Sequence, residues 1–164
     1  LCRCGNYGCL ETVASAQALL RKYQANPSYR PSQLISLERI QLDFLAGNPF
    51  SRQIVLETAQ ALGKAIAHLL AAYNIQLILL TGDMTCFGQE WFQVVCDTVK
   101  QNTLPWLANT TQIEVGSLGQ DVVLLGASAL LLGNYTLLFN QNRTQENSSL
   151  LNLEGENDAK PYAD

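Results

Sequence analysis

The sequence has 164 residues, of which 48% are hydrophobic and 15% charged, so it can bury a sizeable core and is neither disordered nor fibrous. Its 10 basic and 14 acidic residues give a net charge of −4, and the lack of a basic stripe argues against nucleic-acid binding by these residues themselves. Apolar runs such as 75–80 are too short to span a bilayer, and no signal-peptide pattern opens the chain. These features predict a globular protein of the cytoplasm with no membrane partner.

Three of the five cysteines, Cys2, Cys4 and Cys9, crowd into the first nine residues. Thiolates are soft anionic ligands that bind zinc tetrahedrally, and Gly5 and Gly8 permit the sharp turns that would bring the three sulfurs together. Residues 1–9 are therefore predicted to form a zinc-binding knuckle, and we expect the fourth ligand to lie upstream of this segment in a longer protein. The alternative is three free thiols in a frayed terminus.

The knuckle is followed by a pattern of helices with loops between them. Apolar residues recur at helical spacing from about Leu10, and a loop with two prolines covers 25–32. A short helix is predicted from Ser36 to near Gly47. The pair Asn48-Pro49 then predicts the start of a long helix that ends at Asn74. Its predicted apolar stripe contains Ile54, Val55, Thr58, Ala61, Leu62, Ala65, Ile66, Leu69, Leu70 and Tyr73.

The second half of the chain adds strands to this pattern. The uninterrupted apolar run 75–80 predicts a strand buried on both faces, as in a parallel sheet covered by helices. The elements predicted after it are a turn at 81–83, a helix over 89–103 ended by Pro105, a strand over 112–115, a helix over 121–138, and a polar, disordered tail over 139–164. The order of helices and strands indicates the α/β class.

The opening pattern Cys-x-Cys-Gly-x-x-Gly-Cys-Leu-Glu, continued by 12–15, resembles the zinc loop of the ROK family (repressor, open reading frame, kinase). That family groups sugar-responsive repressors with sugar kinases. The resemblance extends through the long helix, the strand 75–80 and the glycine turn, and covers most of 1–138. It implies that 10–138 is an α/β lobe of the sugar-binding domain, the C-terminal part of an actin-like (ribonuclease H-like) fold with two lobes.

The resemblance also implies roles for individual residues. Cys2, Cys4 and Cys9 match the ligands of a structural zinc ion, which in the family also binds an upstream histidine. Glu11 matches a glutamate that contacts sugar hydroxyls, so the implied ligand is a sugar or a sugar phosphate. Without the family match, Glu11 would be interpreted as a first-turn acid favoured by the helix dipole. No catalytic residue is expected in these 164 residues, because the catalytic aspartate of the kinases would lie upstream.

The choice between repressor and kinase depends on the turn after the first strand. The resemblance implies that in the kinases of the family this strand is followed by Gly-Gly, which lets the backbone approach the nucleotide closely. At the same place this chain has Thr81 and Gly82, which form its candidate nucleotide turn. Asp83 adds a negative charge unfavourable to an anionic nucleotide. We therefore predict a repressor of the N-acetylglucosamine or xylose type, a homodimer or higher homo-oligomer that binds DNA only through an upstream domain.

The sequence is also compatible with two alternatives to a repressor. One is an ATP-dependent sugar kinase of the glucokinase or N-acetylhexosamine kinase type, which would also use magnesium. The other is an α/β fragment without zinc and without function.

Overall fold

A computed structural model describes residues 1–27, 35–117, 121 and 123–133. The chain divides into two units, Leu1–Gln120 and Asp121–Asp164. The elements of the first unit are, in order, α1 (Glu11–Ala14), α2 (Ala16–Gln24), α3 (Leu37–Leu45), α4 (Pro49–Tyr73), β1 (Leu77–Leu80), a 3₁₀ helix (Asp83–Phe87), α5 (Gly88–Asn102), α6 (Pro105–Thr110) and β2 (Gln112–Val115). In the second unit, Val123–Gly133 forms α7, within the predicted final helix. The predicted polar tail 139–164 lies outside the described residues.

The ends of α3 and α4 follow the predicted capping residues. The Ser36 hydroxyl accepts a hydrogen bond from the Arg39 amide at 3.3 Å, and Asn48 Oδ1 accepts one from the Ser51 amide at 3.0 Å. Both bonds satisfy amide groups that have no partner inside their helix. At the other end of α4, Asn74 takes the left-handed conformation with φ 49° that commonly closes a helix. The predicted boundaries of these two helices are confirmed.

The first helical segment is broken, where the sequence predicts one continuous helix. Ser15 is extended, with φ −112° and ψ 164°, and separates α1 from α2. Its hydroxyl accepts a hydrogen bond from the Ala18 amide at 3.1 Å and donates one to the Glu11 carbonyl at 2.6 Å. Serine favours such a break because its side chain competes with the backbone for these bonds. Glu11 therefore belongs to a separate short helix.

The two strands form a parallel pair, as expected for an α/β fold. Leu77 is opposite Gln112 and Leu80 is opposite Val115, with α5 and α6 in the crossover between the strands. The sequence prediction missed α6, because Pro105 begins this helix as well as ending the preceding one. The prediction that the first strand is buried on both faces is wrong: Leu80 is buried, but Leu79 is 56% exposed. The helices of this unit cover only one face of β1.

Helix α4 is the centre of the first unit, since α1, α2, α3 and α5 all pack against it. Thr58 and Ile66 of its predicted stripe are buried, whereas Leu69 and Tyr73 are exposed. Ala59, Gly63 and Ala67, which the stripe omits, are buried. The core side chains are Leu19, Ile40, Phe44, Ile54, Val55, Ala59, Ile66, Leu70, Leu80, Phe87, Trp91, Val95 and Val99.

Helix α4 is also the one helix, among the residues that the structure describes, with the length and apolar composition needed to cross a membrane. Its most apolar 18-residue stretch has a mean hydropathy of 1.2, and 44% of that stretch is buried inside the structure. The central helix of a packed α/β domain meets the same two criteria, so they are weak evidence for a membrane span.

Candidate functional site

The three cysteines of the knuckle converge on one point. The Sγ atoms of Cys2, Cys4 and Cys9 all lie within 4.8 Å of one another, and those of Cys4 and Cys9 are 3.5 Å apart. Sulfurs bound to one tetrahedral zinc ion at about 2.3 Å would be separated by about 3.8 Å. The described parts of the chain contain no other such group of histidine, cysteine and acidic side chains. The arrangement could therefore hold a metal ion.

The fold of the knuckle follows from its two glycines. Gly5 and Gly8 have φ values of 87° and 79°, in the left-handed region that residues other than glycine rarely adopt. Inside the turn, the Cys2 amide donates to the Asn6 carbonyl at 2.8 Å, and the Gly5 amide donates to the Cys2 carbonyl at 3.0 Å. The glycine spacing thus reverses the chain twice and brings Cys9 back to Cys4.

The environment of the thiols differs within the knuckle. A hydrogen bond from the backbone of Asn6, followed by hydrogen bonds from Cys9 and Cys2, lowers the pKa of the exposed Cys4 thiol. The pKa of Cys9 is raised, chiefly because its thiol is a hydrogen-bond partner of Cys4 and Cys2. A shared proton among closely spaced thiols has this effect, and a bound cation would favour the thiolate form of all of them.

Glu11 is connected to the knuckle through the start of α1. The Cys9 carbonyl accepts hydrogen bonds from the Thr12 amide at 2.9 Å and from the Thr12 hydroxyl at 2.6 Å. The Glu11 carboxylate pairs with the Arg3 guanidinium at 2.5 Å. A metal ion at the three sulfurs would therefore act on Glu11 indirectly, by fixing the loop from which its helix begins.

Some of the predicted site residues line two clefts. One, of about 300 Å³, is lined by Cys2, Arg3, Glu11, Thr12, Gln17 and Arg21. The other, of about 420 Å³, lies at the carboxyl end of β1 and is lined by Ala14, Ser15, Ala16, Leu62, Leu79, Leu80, Thr81, Asp83, Met84 and Trp91. Cys2 of the knuckle and Glu11 thus line one cleft and Thr81 lines the other, whereas Cys4, Cys9 and Gly82 line neither. Helix α1 contributes to both clefts, with Glu11 and Thr12 in the first and Ala14 in the second, and Ser15 lines the second.

The turn that the sequence predicts over 81–83 follows β1, and its glycine has a backbone conformation that other residues rarely adopt. Gly82 has φ 97°, and the Asp83 carboxylate follows at the start of the 3₁₀ helix. The Thr81 methyl lies against Gly116, where a Cβ atom would come within 2.6 Å of it. The strand end is therefore packed tightly against the end of β2, and the side chains at the cleft entrance include one carboxylate.

Sequence reasoning missed several residues of these clefts. Arg3 and Arg21 line the first cleft, but Arg3 is only the variable residue between the first two cysteines of the motif and Arg21 lies outside it. Ser15 was detectable, since a serine immediately before a helical run is a common capping signal. His68, the single histidine of the sequence, is exposed on α4 and is not part of the thiol cluster.

The thiols of the metal-free protein are expected to differ in reactivity. At pH 7, iodoacetamide should modify Cys4 before Cys86, because Cys4 is exposed and has a lowered pKa, whereas burial raises the pKa of Cys86. Mass spectrometry of the peptides at successive times measures the order. Added zinc should protect Cys4 and leave the rate at Cys86 unchanged. Equal rates at both thiols without zinc would contradict the described environments.

The chain is similar to known proteins in both sequence and fold. The model of the ROK family matches residues 1–134. The DNA-binding transcriptional repressor Mlc of Escherichia coli is 25% identical over 132 residues, which are 77% of this chain and 32% of that protein. A glucokinase of Thermotoga maritima is 27% identical over 143 residues, 80% of this chain and 44% of the relative. The ROK hexokinase structure from Thermus thermophilus aligns with a TM-score of 0.64 at 26% identity, covering 77% of this chain and 41% of that one.

The fold, the thiol cluster and these matches define an α/β protein of a family that contains both sugar repressors and glucokinases. The chain belongs to the ROK family. It spans about a third to a half of the length of these curated relatives, 32% of the repressor and 44% of the glucokinase.

Proposed function

We propose that these residues form the sugar-sensing part of a ROK-type transcriptional repressor that acts in the cytoplasm. The observation that carries the proposal is the cleft that Glu11 lines together with Cys2, one of the three converging thiols of the knuckle. The relationship to the repressor Mlc and to a glucokinase supports both a sugar ligand and a regulatory role. DNA binding would belong to another domain of the full polypeptide.

In this proposal, Cys2, Cys4 and Cys9 hold a structural zinc ion, and a fourth ligand comes from elsewhere in the protein. The sulfur separations fit the ion, and thiolate is a ligand that zinc prefers. When bound, the ion supplies a rigid crosslink between the two turns of the knuckle. The ordered turn then fixes the Cys9 carbonyl, which holds the first residues of α1 through Thr12.

Glu11 is the residue that contacts the sugar. Its side chain is 39% exposed, so the carboxylate is accessible from the cleft while the backbone around it is ordered. An ionised carboxylate accepts hydrogen bonds from two hydroxyl groups, which matches vicinal hydroxyls of a sugar ring. Lobe closure over the sugar would favour one arrangement of a homodimer, to the extent that the ligand binds that arrangement more tightly.

The second cleft favours the repressor over the kinase. A kinase of this family needs a site for a nucleotide, and the cleft beside Thr81 and Gly82 is the candidate for it. The Asp83 carboxylate lines this cleft and would repel the phosphates of ATP.

The specific observation that favours the kinase alternative is the size of the cleft, about 420 Å³ at the carboxyl end of a parallel strand, where α/β proteins bind ligands.

Glu11→Gln is expected to weaken sugar binding by about tenfold to a hundredfold, because the neutral amide loses charge-assisted hydrogen bonds. Isothermal titration of the full natural polypeptide with glucose, xylose and N-acetylglucosamine measures the change. Glu38→Gln is the matched control, since Glu38 is also an exposed acid in the first turn of a helix but lies on α3. If both variants bind sugar as tightly as the parent protein, Glu11 does not contact the sugar and only stabilises the start of its helix.

Binding and turnover measurements on the full natural polypeptide distinguish the repressor from the kinase. A repressor should bind sugar without ATP and show no ATP turnover in the presence of magnesium. Sugar-dependent ADP release would instead support the kinase alternative and overturn the proposal.

A further inference from the structure

The Cys4 and Cys9 thiols of the knuckle are in direct contact. Their Sγ atoms are 3.5 Å apart, and the two thiols form a hydrogen bond. A disulfide bond is about 2.05 Å long, so the sulfurs have to approach by roughly 1.5 Å to form one. Cys4 is exposed and Cys9 is partly exposed, so rotation of their side chains can supply this movement without displacing the core.

The turn between the two cysteines can also adjust. It consists of residues 5–8, so a covalent bond across it closes a short loop whose ends already meet. The two glycines of this turn have open space around them, because a Cβ atom added at Gly5 or at Gly8 would meet no atom within 4 Å. The backbone can therefore shift by a fraction of an ångström here without a clash.

Cys2 differs from the other two thiols in its exposure. It is only 7% exposed, and its backbone is fixed by hydrogen bonds with Asn6 and Gly5. A dissolved oxidant therefore reaches Cys4 before Cys2. Thiols that are oxidised reversibly are typically solvent-accessible and have a second thiol beside them, and Cys4 with its neighbour Cys9 meets both conditions.

We propose that Cys4 and Cys9 form a reversible disulfide when the protein meets a peroxide, so that the knuckle is a site of thiol oxidation. The Cys4 sulfur attacks one peroxide oxygen, the O–O bond breaks, and the other oxygen leaves as hydroxide and takes up the thiol proton to give water. The Cys9 sulfur then attacks the resulting sulfenic acid. The S–S bond forms, the S–O bond breaks, and the hydroxyl group leaves with the Cys9 proton as a second water.

The disulfide and a zinc ion exclude each other. Zinc binds the thiolate form of cysteine, and a sulfur in a disulfide has no such charge, so only Cys2 of the three sulfurs would remain as a ligand. Oxidation is therefore expected to release the ion. This step rests on the proposed function, because it assumes that the knuckle holds zinc, whereas formation of the disulfide does not depend on that assumption.

Peptide mass spectrometry of the full natural polypeptide after treatment with hydrogen peroxide tests the proposal. Trypsin cleaves after Arg3 and Arg21, so Cys4 and Cys9 fall in one peptide, 4–21, and Cys2 falls in another. After free thiols are blocked with iodoacetamide, peptide 4–21 should carry no blocking group and should be lighter by two hydrogen atoms than the reduced, unblocked peptide. A phosphine reductant should restore both thiols. A zinc-sensitive dye should detect about one equivalent of zinc released per disulfide.

Variants identify the reacting pair. Cys4→Ser should abolish the loss of two hydrogen atoms from peptide 4–21, whereas Cys2→Ser should retain it. Cys96→Ser is the matched control, since Cys96 is a partly buried thiol outside the cluster, and it should match the parent protein in both disulfide formation and zinc release. Circular dichroism of each variant checks that the fold is kept.

Three outcomes would overturn the proposal. The first is a blocking group on both Cys4 and Cys9 after peroxide has fully oxidised glutathione in the same tube. The second is a crosslink from peptide 4–21 to the peptide that ends at Arg3, which would make Cys2 the partner. The third is irreversible oxidation of Cys4 beside an unreacted Cys9. A disulfide in peptide 4–21 of a protein that carries no zinc would support the oxidation site and refute the metal site of the proposed function.

Discussion

Cys9→Ser is expected to lower the zinc content of the purified protein from about one equivalent to less than half an equivalent. Two thiolates remain, and the serine hydroxyl stays protonated near neutral pH, so it is a poor replacement ligand. Because the Cys9 carbonyl anchors the start of α1 through Thr12, the loosened turn should also weaken sugar binding by about tenfold to a hundredfold. Elemental analysis and titration calorimetry measure the two effects.

The matched controls for this experiment are the two cysteines outside the knuckle. Cys86 and Cys96 are both partly buried thiols that do not belong to the cluster. Cys86→Ser and Cys96→Ser should retain the zinc of the parent protein. Equal zinc content in Cys9→Ser and Cys96→Ser would show that the ion is bound elsewhere or that the sulfurs do not share one.

Gly63→Ala is expected to lower the free energy of unfolding by about 1–3 kcal/mol, although alanine is the better helix former. A Cβ atom at this position would lie 2.6 Å from Thr98 Cβ and 2.8 Å from the Val95 carbonyl oxygen, where α4 and α5 pack together. The backbone oxygen cannot rotate away, so the helices must separate. Urea denaturation monitored by circular dichroism gives the change.

The control for Gly63 isolates helix propensity from packing. Ala72 is an exposed residue in the last turn of the same helix, and Ala72→Gly should cost up to about 1 kcal/mol through propensity alone. If contact between the helices does not matter, Gly63→Ala should stabilise the protein by a similar amount. A stabilised Gly63→Ala variant would therefore contradict the described packing of α4 on α5.

The elements that the sequence predicted well have local causes. Asn48 and Pro49 start α4 because a side-chain oxygen and a fixed φ are built into those two residues, and Asn74 ends it by adopting a left-handed backbone. The strand over 112–115 was also correct to the residue. The convergence of the three knuckle thiols also has a local cause, because Gly5 and Gly8 permit the turns between them, and the zinc ion itself stays a prediction.

The predictions that failed concern the burial of residues, which depends on the elements that pack against them and not on the local sequence. The stripe of α4 was predicted from hydrophobicity, so it omitted Gly63, which is buried because α5 approaches closely at that point. Leu79 was expected to be buried because it is apolar, but the helices of this unit cover the opposite face of β1. Nor does any sequence pattern place Arg21 beside Glu11.

The sequence by itself determined the α/β order of elements, the positions of the helix caps, and the three cysteines that resemble the ROK zinc loop. These are properties of short segments, in which the residues that act together are close along the chain. Only the tertiary structure decided that the Glu11 and Thr81 clefts are separate and that Arg3 and Arg21 share the cleft of Glu11. The physical reason is that a cleft joins side chains from different elements, and their distances depend on how helices pack, which local preference does not encode.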